Sequence, residues 1–174
     1  TGTITSGRPA LVVWQPTATA NAEEALAALA ALEDRSEHPI AHAIKQYAQQ
    51  HGVKARQVQE FSIIRGQGVR GVIDGTEYFA GNERLIAELG LPFDREAIAR
   101  ETAQGRTPVL VATRQAVLAL ALVADPIKPE AAAAVQALHR LGLKVVMMTG
   151  DAEGAATFVA REVGIDQVRA QLLP

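Results

Sequence analysis

The 174-residue chain has no cysteine, so neither a disulfide framework nor a thiolate metal site is available to it. Aromatic residues make up only 4% of it, so alanine, valine, leucine and isoleucine must supply the core. Charge of one sign is also lacking. The 17 lysines and arginines nearly balance the 19 aspartates and glutamates, and no basic stripe interleaves with aromatics. Nucleic acid is therefore not an expected partner. The longest apolar run, "VLALALVA" from Val117 to Ala124, is too short to span a bilayer. No secretory leader is visible, and the first residue is a threonine, which reads as a piece of something longer. Internal repeats and low-complexity linkers are absent as well.

What is present is 48% apolar, enough for a real core, arranged in segments of changing period. "ALVVWQ", Ala10 to Gln15, reads as a short strand. Asn21 is a plausible helix N-cap, with Glu23 and Glu24 in the first turn where carboxylates suit the helix dipole. That helix runs to about Asp34. A second starts near Pro39, which a first turn tolerates, and ends at Gly52. Five glycines and β-branched runs then follow between Val58 and Asn82, and Asp74-Gly75 is a strong hairpin turn signal. Amphipathic helices are expected near Glu83–Leu89 and Asp94–Gln104, and a hairpin across Arg114-Gln115. After Asp125 the order is helix, strand, helix, which predicts an α/β unit with a buried parallel strand.

Three stretches carry chemistry. "GQGVRG", Gly66 to Gly71, matches G-x-G-x-x-G, but strand and turn follow it instead of a helix, which argues against a dinucleotide fingerprint. It fits a glycine-rich hairpin, or a backbone that approaches a flat ligand closely. In "LEDRSEHPIAHAI", Leu32 to Ile44, an acid and a histidine sit at a break between helices. His38 suits an exposed loop residue that starts a helix. Glu33 shares a helical stripe with Leu26 and Ala30, an odd place for an acid, and can accept from a ligand amine such as that of a purine. "VVMMTGD", Val145 to Asp151, is an apolar strand ending in Thr-Gly-Asp. Ligands of open α/β sheets bind beyond strand carboxyl ends, but the same tripeptide also serves as a plain turn with Asp151 as N-cap.

Taken together, in order, these stretches resemble the cytosolic ATP-binding region of heavy-metal-transporting P-type ATPases. "TGTITSG" resembles the tail of the family's Asp-Lys-Thr-Gly-Thr phosphorylation motif, and "SEHPIAHAI" its Ser-Glu-His-Pro signature. "GQGVRG" with "YFAGN" resembles the nucleotide loop and Gly-Asn segment. "DPIKPEA", "MMTGD", "GID" and "LLP" follow in place. The resemblance implies an α/β fold class: an α+β nucleotide-binding domain with an antiparallel sheet, residues 16–124, inserted in a partial haloacid-dehalogenase-like domain formed by residues 1–15 and 125–174. It implies an adenine pocket of Glu33 and His38 against Gly66 and Gly68, with Asn82 nearby. Thr3, Thr149, Gly150 and Asp151 would neighbour a phosphorylation site whose aspartate and lysine precede Thr1. ATP and Mg2+ are the implied cofactors, with the Mg2+ ligands largely outside this chain and no metal site within it. Implied partners are ATP or ADP and the actuator and transmembrane domains of a copper- or zinc-type pump, on the cytosolic face of a membrane. Ala152 and Ala155 depart from the asparagine and threonine common after Thr-Gly-Asp. Little or no turnover is expected of this fragment alone. A nucleotide-sensing module without catalysis and a haloacid-dehalogenase-type phosphatase are the alternatives.

Overall fold

Asn21 starts the first long helix as its sequence suggests: its side-chain oxygen accepts from the N–H groups of Glu23 and Glu24 at 3.1 and 3.2 Å. Helix α1 (Ala22–Glu33) and helix α2 (Pro39–Gln50) then form an antiparallel pair. The computed structural model describes residues 2–36, 38–54, 56–150, 153–170 and 172. Small residues allow the pair to pack closely. Ala25, Ala28, Ala31, Ala41, Ala43 and Ala48 are all buried, and Leu29, Leu32 and Ile44 have no more than trace exposure.

Both helices cover one face of a six-stranded antiparallel sheet. Its strands are β1 (Ala10–Pro16), β2 (Gln59–Ile64), β3 (Gly68–Ile73), β4 (Thr76–Gly81), β5 (Thr107–Thr113) and β6 (Val117–Ala124), in spatial order β1-β6-β5-β4-β3-β2. The β3–β4 turn uses Asp74 and Gly75 at φ of 49° and 80°, the left-handed pair that a tight hairpin requires. Helices α3 (Glu83–Glu88) and α4 (Arg95–Ala103) lie between β4 and β5, and Ile86 and Ile98 pack with Leu110 and Ala112 in a smaller core.

A second unit follows: α5 (Ala131–Arg140), β7 (Val146–Met148), α6 (Glu153–Val163) and β8 (Gln167–Arg169), with β7 and β8 paired in parallel. Its core joins Ala131, Val135 and Val163 to Ile4, Ile127, Val145 and Ile165.

Two expectations change. Strand β1, grouped by sequence with the C-terminal unit, pairs antiparallel with β6 from Ala10↔Ala124 to Pro16↔Ala119. That pairing buries Leu11 in the main core and packs Trp14 against it. Only the residues before β1 join the C-terminal unit, through the Thr5↔Ile127 bridge and the Ser6 N–H bonded to the Pro126 carbonyl. Strand β7 is parallel as expected but not buried: Val146 and Met148 are 45% and 69% exposed. Val146 and Met148, two residues apart, share one face of the β7–β8 pair, and that face is open.

The glycine loop is held by sterics. A Cβ on Gly68 would lie 2.1 Å from the Ala80 carbonyl oxygen, and one on Gly81 would lie 2.2 Å from the Gln67 carbonyl oxygen. The backbones of β3 and β4 meet where no side chain fits. Gly66, at φ 70°, has nothing within 4 Å of its Cβ position. Gly68→Ala is therefore expected to lower stability by about 2–4 kcal/mol. Gly66→Ala should cost only about 1 kcal/mol, the left-handed penalty alone. Urea denaturation of both variants checks this, and equal losses would contradict it.

Candidate nucleotide site

The break between α1 and α2 is built by two short side chains that cap. Ser36 Oγ accepts from the His38 N–H at 3.2 Å, and His38 Nδ1 accepts from the Ile40 N–H at 3.2 Å. Pro39 at the first helical position needs no partner for a missing N–H. Because Nδ1 is an acceptor in this cap, a neutral His38 ring carries its proton on Nε2. The exposed His38 thus offers a donor outward. Glu37 lies outside the described residues.

Glu33 ends α1 one residue beyond the fully buried Leu32. It is half-buried, and burial pushes its carboxyl above the ordinary range; the Lys45 ammonium acts in the opposite direction without cancelling this. Lys45 itself pairs with Asp34 at 3.5 Å. A partly desolvated carboxylate is a strong acceptor for a ligand amine. The α1 helix lies over β3 and β4: a Cβ on Gly71 would come within 3.1 Å of the Leu32 side chain. The last turn of α1 and the strand that begins at Gly68 therefore belong to one face of the sheet.

The glycine loop is tied down by Asn82. Its Nδ2 donates to the Gly66 carbonyl at 2.8 Å, while its Oδ1 caps α3 by accepting from the Arg84 and Leu85 N–H groups at 3.0 and 3.3 Å. Both ends of the amide are used within the protein, so Asn82 shapes the loop. Gly68 likewise has a reason of its own in the contact with β4. Gly66 is the glycine whose open surface leaves room for a flat ligand.

The remaining residues gather elsewhere. A cavity of about 600 Å3 lies between the sheet unit and the C-terminal unit, and Thr3, His38 and Thr149 all line it. Glu33, Gly66, Gly68 and Asn82 do not line it. The Thr149 N–H donates to the Arg169 carbonyl at 3.0 Å, and its carbonyl accepts from Leu172 at 3.1 Å, which fixes the loop after β7 on the end of β8. A Cβ on Gly150 would lie 3.2 Å from the Leu172 carbonyl oxygen. Asp151 lies outside the described residues. Among the described residues no group of three or more His, Cys, Asp or Glu side chains is placed to hold a metal ion. They do not by themselves fit a Mg2+ site.

Sequence reasoning placed Asp125 at the head of "DPIKPEA" but gave it no role of its own. Its Oδ1 accepts from Ser6 Oγ at 2.8 Å and the Arg8 N–H at 3.2 Å, and its Oδ2 from the Gly7 N–H at 3.2 Å. Lys128 adds a bond from Nζ to the Gly2 carbonyl at 3.0 Å. Besides that motif, an Asp-Pro directly after a strand marks a turn without naming its partner. Asp166 of "GID" is structural too: Val145 N–H and His139 Nε2 lie 2.8 and 2.9 Å from its Oδ2, and these contacts lower its pKa.

The two-unit α/β arrangement agrees with the family comparison. The model of the haloacid dehalogenase-like hydrolases matches residues 1–173, and the chain belongs to that family. Within it, the homologues are metal-transporting P-type ATPases. A copper-transporting P-type ATPase of Rhizobium leguminosarum bv. viciae is 42% identical over 178 residues, across all of this chain and 21% of its own length. A zinc-transporting PIB-type ATPase in its E2.Pi state superposes with a TM-score of 0.79 at 30% identity, over all of this chain and 28% of that one. The catalytic domain of the CPx-ATPase CopB-B, solved in a study of its changes on nucleotide binding, gives 0.70 at 27% identity, over 99% of this chain and 58% of that one. The chain spans about a fifth of the length of the curated relative. No helix among the described residues is long and apolar enough to cross a membrane.

Glu33 supplies a pH test. Its folded pKa lies above the unfolded one, so its contribution favours the folded state fully below the unfolded pKa and is lost as pH rises through the folded pKa. Relative to Glu33→Gln, the wild-type chain should therefore lose stability between acid and neutral pH. Urea melts of the two proteins from pH 4 to 7.5 measure the difference. A pH-independent gap would show that Glu33 is not desolvated.

Proposed function

We propose that this chain is the ATP-binding catalytic fragment of a metal-cation-translocating P-type ATPase. The observation that carries the reading is the helix break itself. A desolvated carboxyl at the end of α1 and an exposed Nε2 donor at the start of α2 flank the same short break. A purine presents a complementary pair, an exocyclic amine that donates and ring nitrogens that accept. Glu33 takes the amine and His38 donates to the ring. The open backbone at Gly66 forms the facing wall, held by Asn82. The name of the copper-transporting relative and the nucleotide-linked CopB-B domain support the same reading.

In this reading the triphosphate runs from the base toward the cavity between the units, where Thr3 and Thr149 supply hydroxyls to phosphoryl oxygens. The phosphoryl acceptor is an aspartate preceding Thr1. Mg2+ would neutralise the phosphates when bound, with ligands from beyond the described residues. The domain division that fits is a nucleotide unit of roughly residues 10–124 and a phosphorylation unit built from the flanking segments. The parent is an integral membrane pump with actuator and transmembrane domains, and this fragment lies on the cytosolic face. Copper(I) is the first cargo to test, with zinc and cadmium next.

Calorimetry with ATP, ADP and GTP tests the pocket. Loss of one base contact in His38→Gln should weaken ATP and ADP alike, by about five- to thirtyfold, since the contact is to the base. Replacing Glu33 by Gln should reduce the preference for ATP over GTP. Unchanged ATP affinity in both variants, with melting intact, would overturn the assignment.

A further inference from the structure

The two units touch at a second place, far along the chain from the linkers that join them. Gly105 closes the turn between α4 and β5 at φ 74°. A Cβ built on it would lie 2.8 Å from Cδ1 of Phe158 and 3.4 Å from Cγ. The Phe158 ring, on α6, therefore rests directly on the glycine backbone of the nucleotide unit. One turn earlier on α6, a Cβ on Gly154 would come 3.7 Å from the Thr102 carbonyl oxygen near the end of α4. The receiving turn is firm. Gly105 N–H bonds to the Thr102 carbonyl at 3.0 Å, Arg106 N–H to the Glu101 carbonyl at 3.2 Å, and the Arg106 guanidinium pairs with the Glu101 carboxylate. The Arg161 guanidinium lies over the same ring, 5.7 Å from its centroid. Gly105 and Ala155 also line the cavity between the units, so this contact forms part of its wall.

We propose that Phe158 is a positioning residue, a latch that holds the nucleotide unit closed over the phosphorylation unit by seating its ring on Gly105. Helix α6 begins at Glu153, shortly after Thr149 and Gly150 in the chain. A rigid-body swing about the linkers must lift Phe158 off Gly105, and a ligand that touches both units favours the seated state. Glycine at 105 is required twice, for its positive φ and for the absence of a side chain under the ring. The role of the closed state rests on the nucleotide reading above; the latch itself does not.

The absence of native cysteine makes the test direct. Ala87→Cys on α3 and Arg140→Cys on α5, both exposed, accept a spin-label pair in the 174-residue chain. Without ligand, the parent should show a narrow short-distance population. Phe158→Ala should shift the closed-to-open ratio by about tenfold toward longer distances, as loss of a seated aromatic implies. Phe158→Leu, which keeps apolar bulk, should recover part of the shift. Gly105→Ala tests the latch from the other unit, because its Cβ would stand 2.8 Å from Phe158 Cδ1 and must displace the ring. Apparent ATP affinity should fall severalfold in Phe158→Ala while adenosine affinity holds, since only the closed fraction offers both units to the triphosphate. Unchanged distance distributions in both Phe158→Ala and Gly105→Ala, with melting intact, would overturn the latch. Shifted distances with no nucleotide response would uphold the latch and count against the nucleotide reading.

Discussion

The carboxylate of Asp125 is where the two halves of this molecule are joined. The chain passes from one unit to the other twice, once before β1 and once after β6. A single side chain gathers both crossings by accepting from Ser6 Oγ and from the Gly7 and Arg8 N–H groups. Bonds to a charged acceptor are stronger than neutral ones, and Asp125 collects two from backbone N–H groups and one from a hydroxyl. The sheet register brings Asp125 to this spot, because Ala10 pairs with Ala124 and the next residues on each strand diverge into the linkers. The antiparallel partnership of β1 and β6 therefore sets where the two linkers run together, and Asp125 at that point also lines the cavity.

The candidate residues are divided as well. His38, Thr3 and Thr149 meet across the cavity, while Glu33 and the glycine loop sit on the nucleotide unit outside its walls. His38 belongs to both groups by adjacency, since it starts the helix that follows Glu33. A ligand with a flat polar head and an anionic tail suits such a divided site: the head needs fixed shape and desolvated polar atoms, and the tail needs hydroxyls and N–H groups from a second body. The division also explains why caps are so prominent at the break. Ser36 and His38 each satisfy a backbone N–H, so the loop that presents Glu33 and His38 is set by local bonds and does not await the ligand.

Local features of the sequence were legible because their causes are local. The Asn21 cap, the Asp74-Gly75 turn, Pro39 at the start of α2 and Gly52 after its end each declare themselves within four residues. The partner of β1 was not legible, because it lies at the other end of the nucleotide unit and alternating patterns do not name partners. The same blindness applies to Asp125, whose donors are likewise distant in sequence. Strand β8, three residues long, has too little pattern to be seen. The exposure of β7 reverses the reading of an apolar run as buried: the run records a strand suited to neighbours on both sides, and only β8 pairs with it among the described residues. The candidate site rests on the resemblance and not on periodicity, since nothing in the spacing of Glu33 and Gly66 relates them.

Glycine shows how a single residue type serves two ends within one motif. In "GQGVRG" the glycine at 68 is demanded by the backbone of β4, and the glycine at 71 by Val58 and Leu32, whose side chains occupy the space a Cβ would need. Only the glycine at 66 faces open space. Read as a string, the three are equivalent; in the fold, two make the sheet close-packed and one leaves a surface bare. Close packing at 68 and 71 brings β3 under the last turn of α1, and that is what places the bare backbone at 66 on the same unit as Glu33. Two of the motif's three glycines are thus structural, and the motif is mostly a close-packed scaffold that leaves the backbone at Gly66 bare.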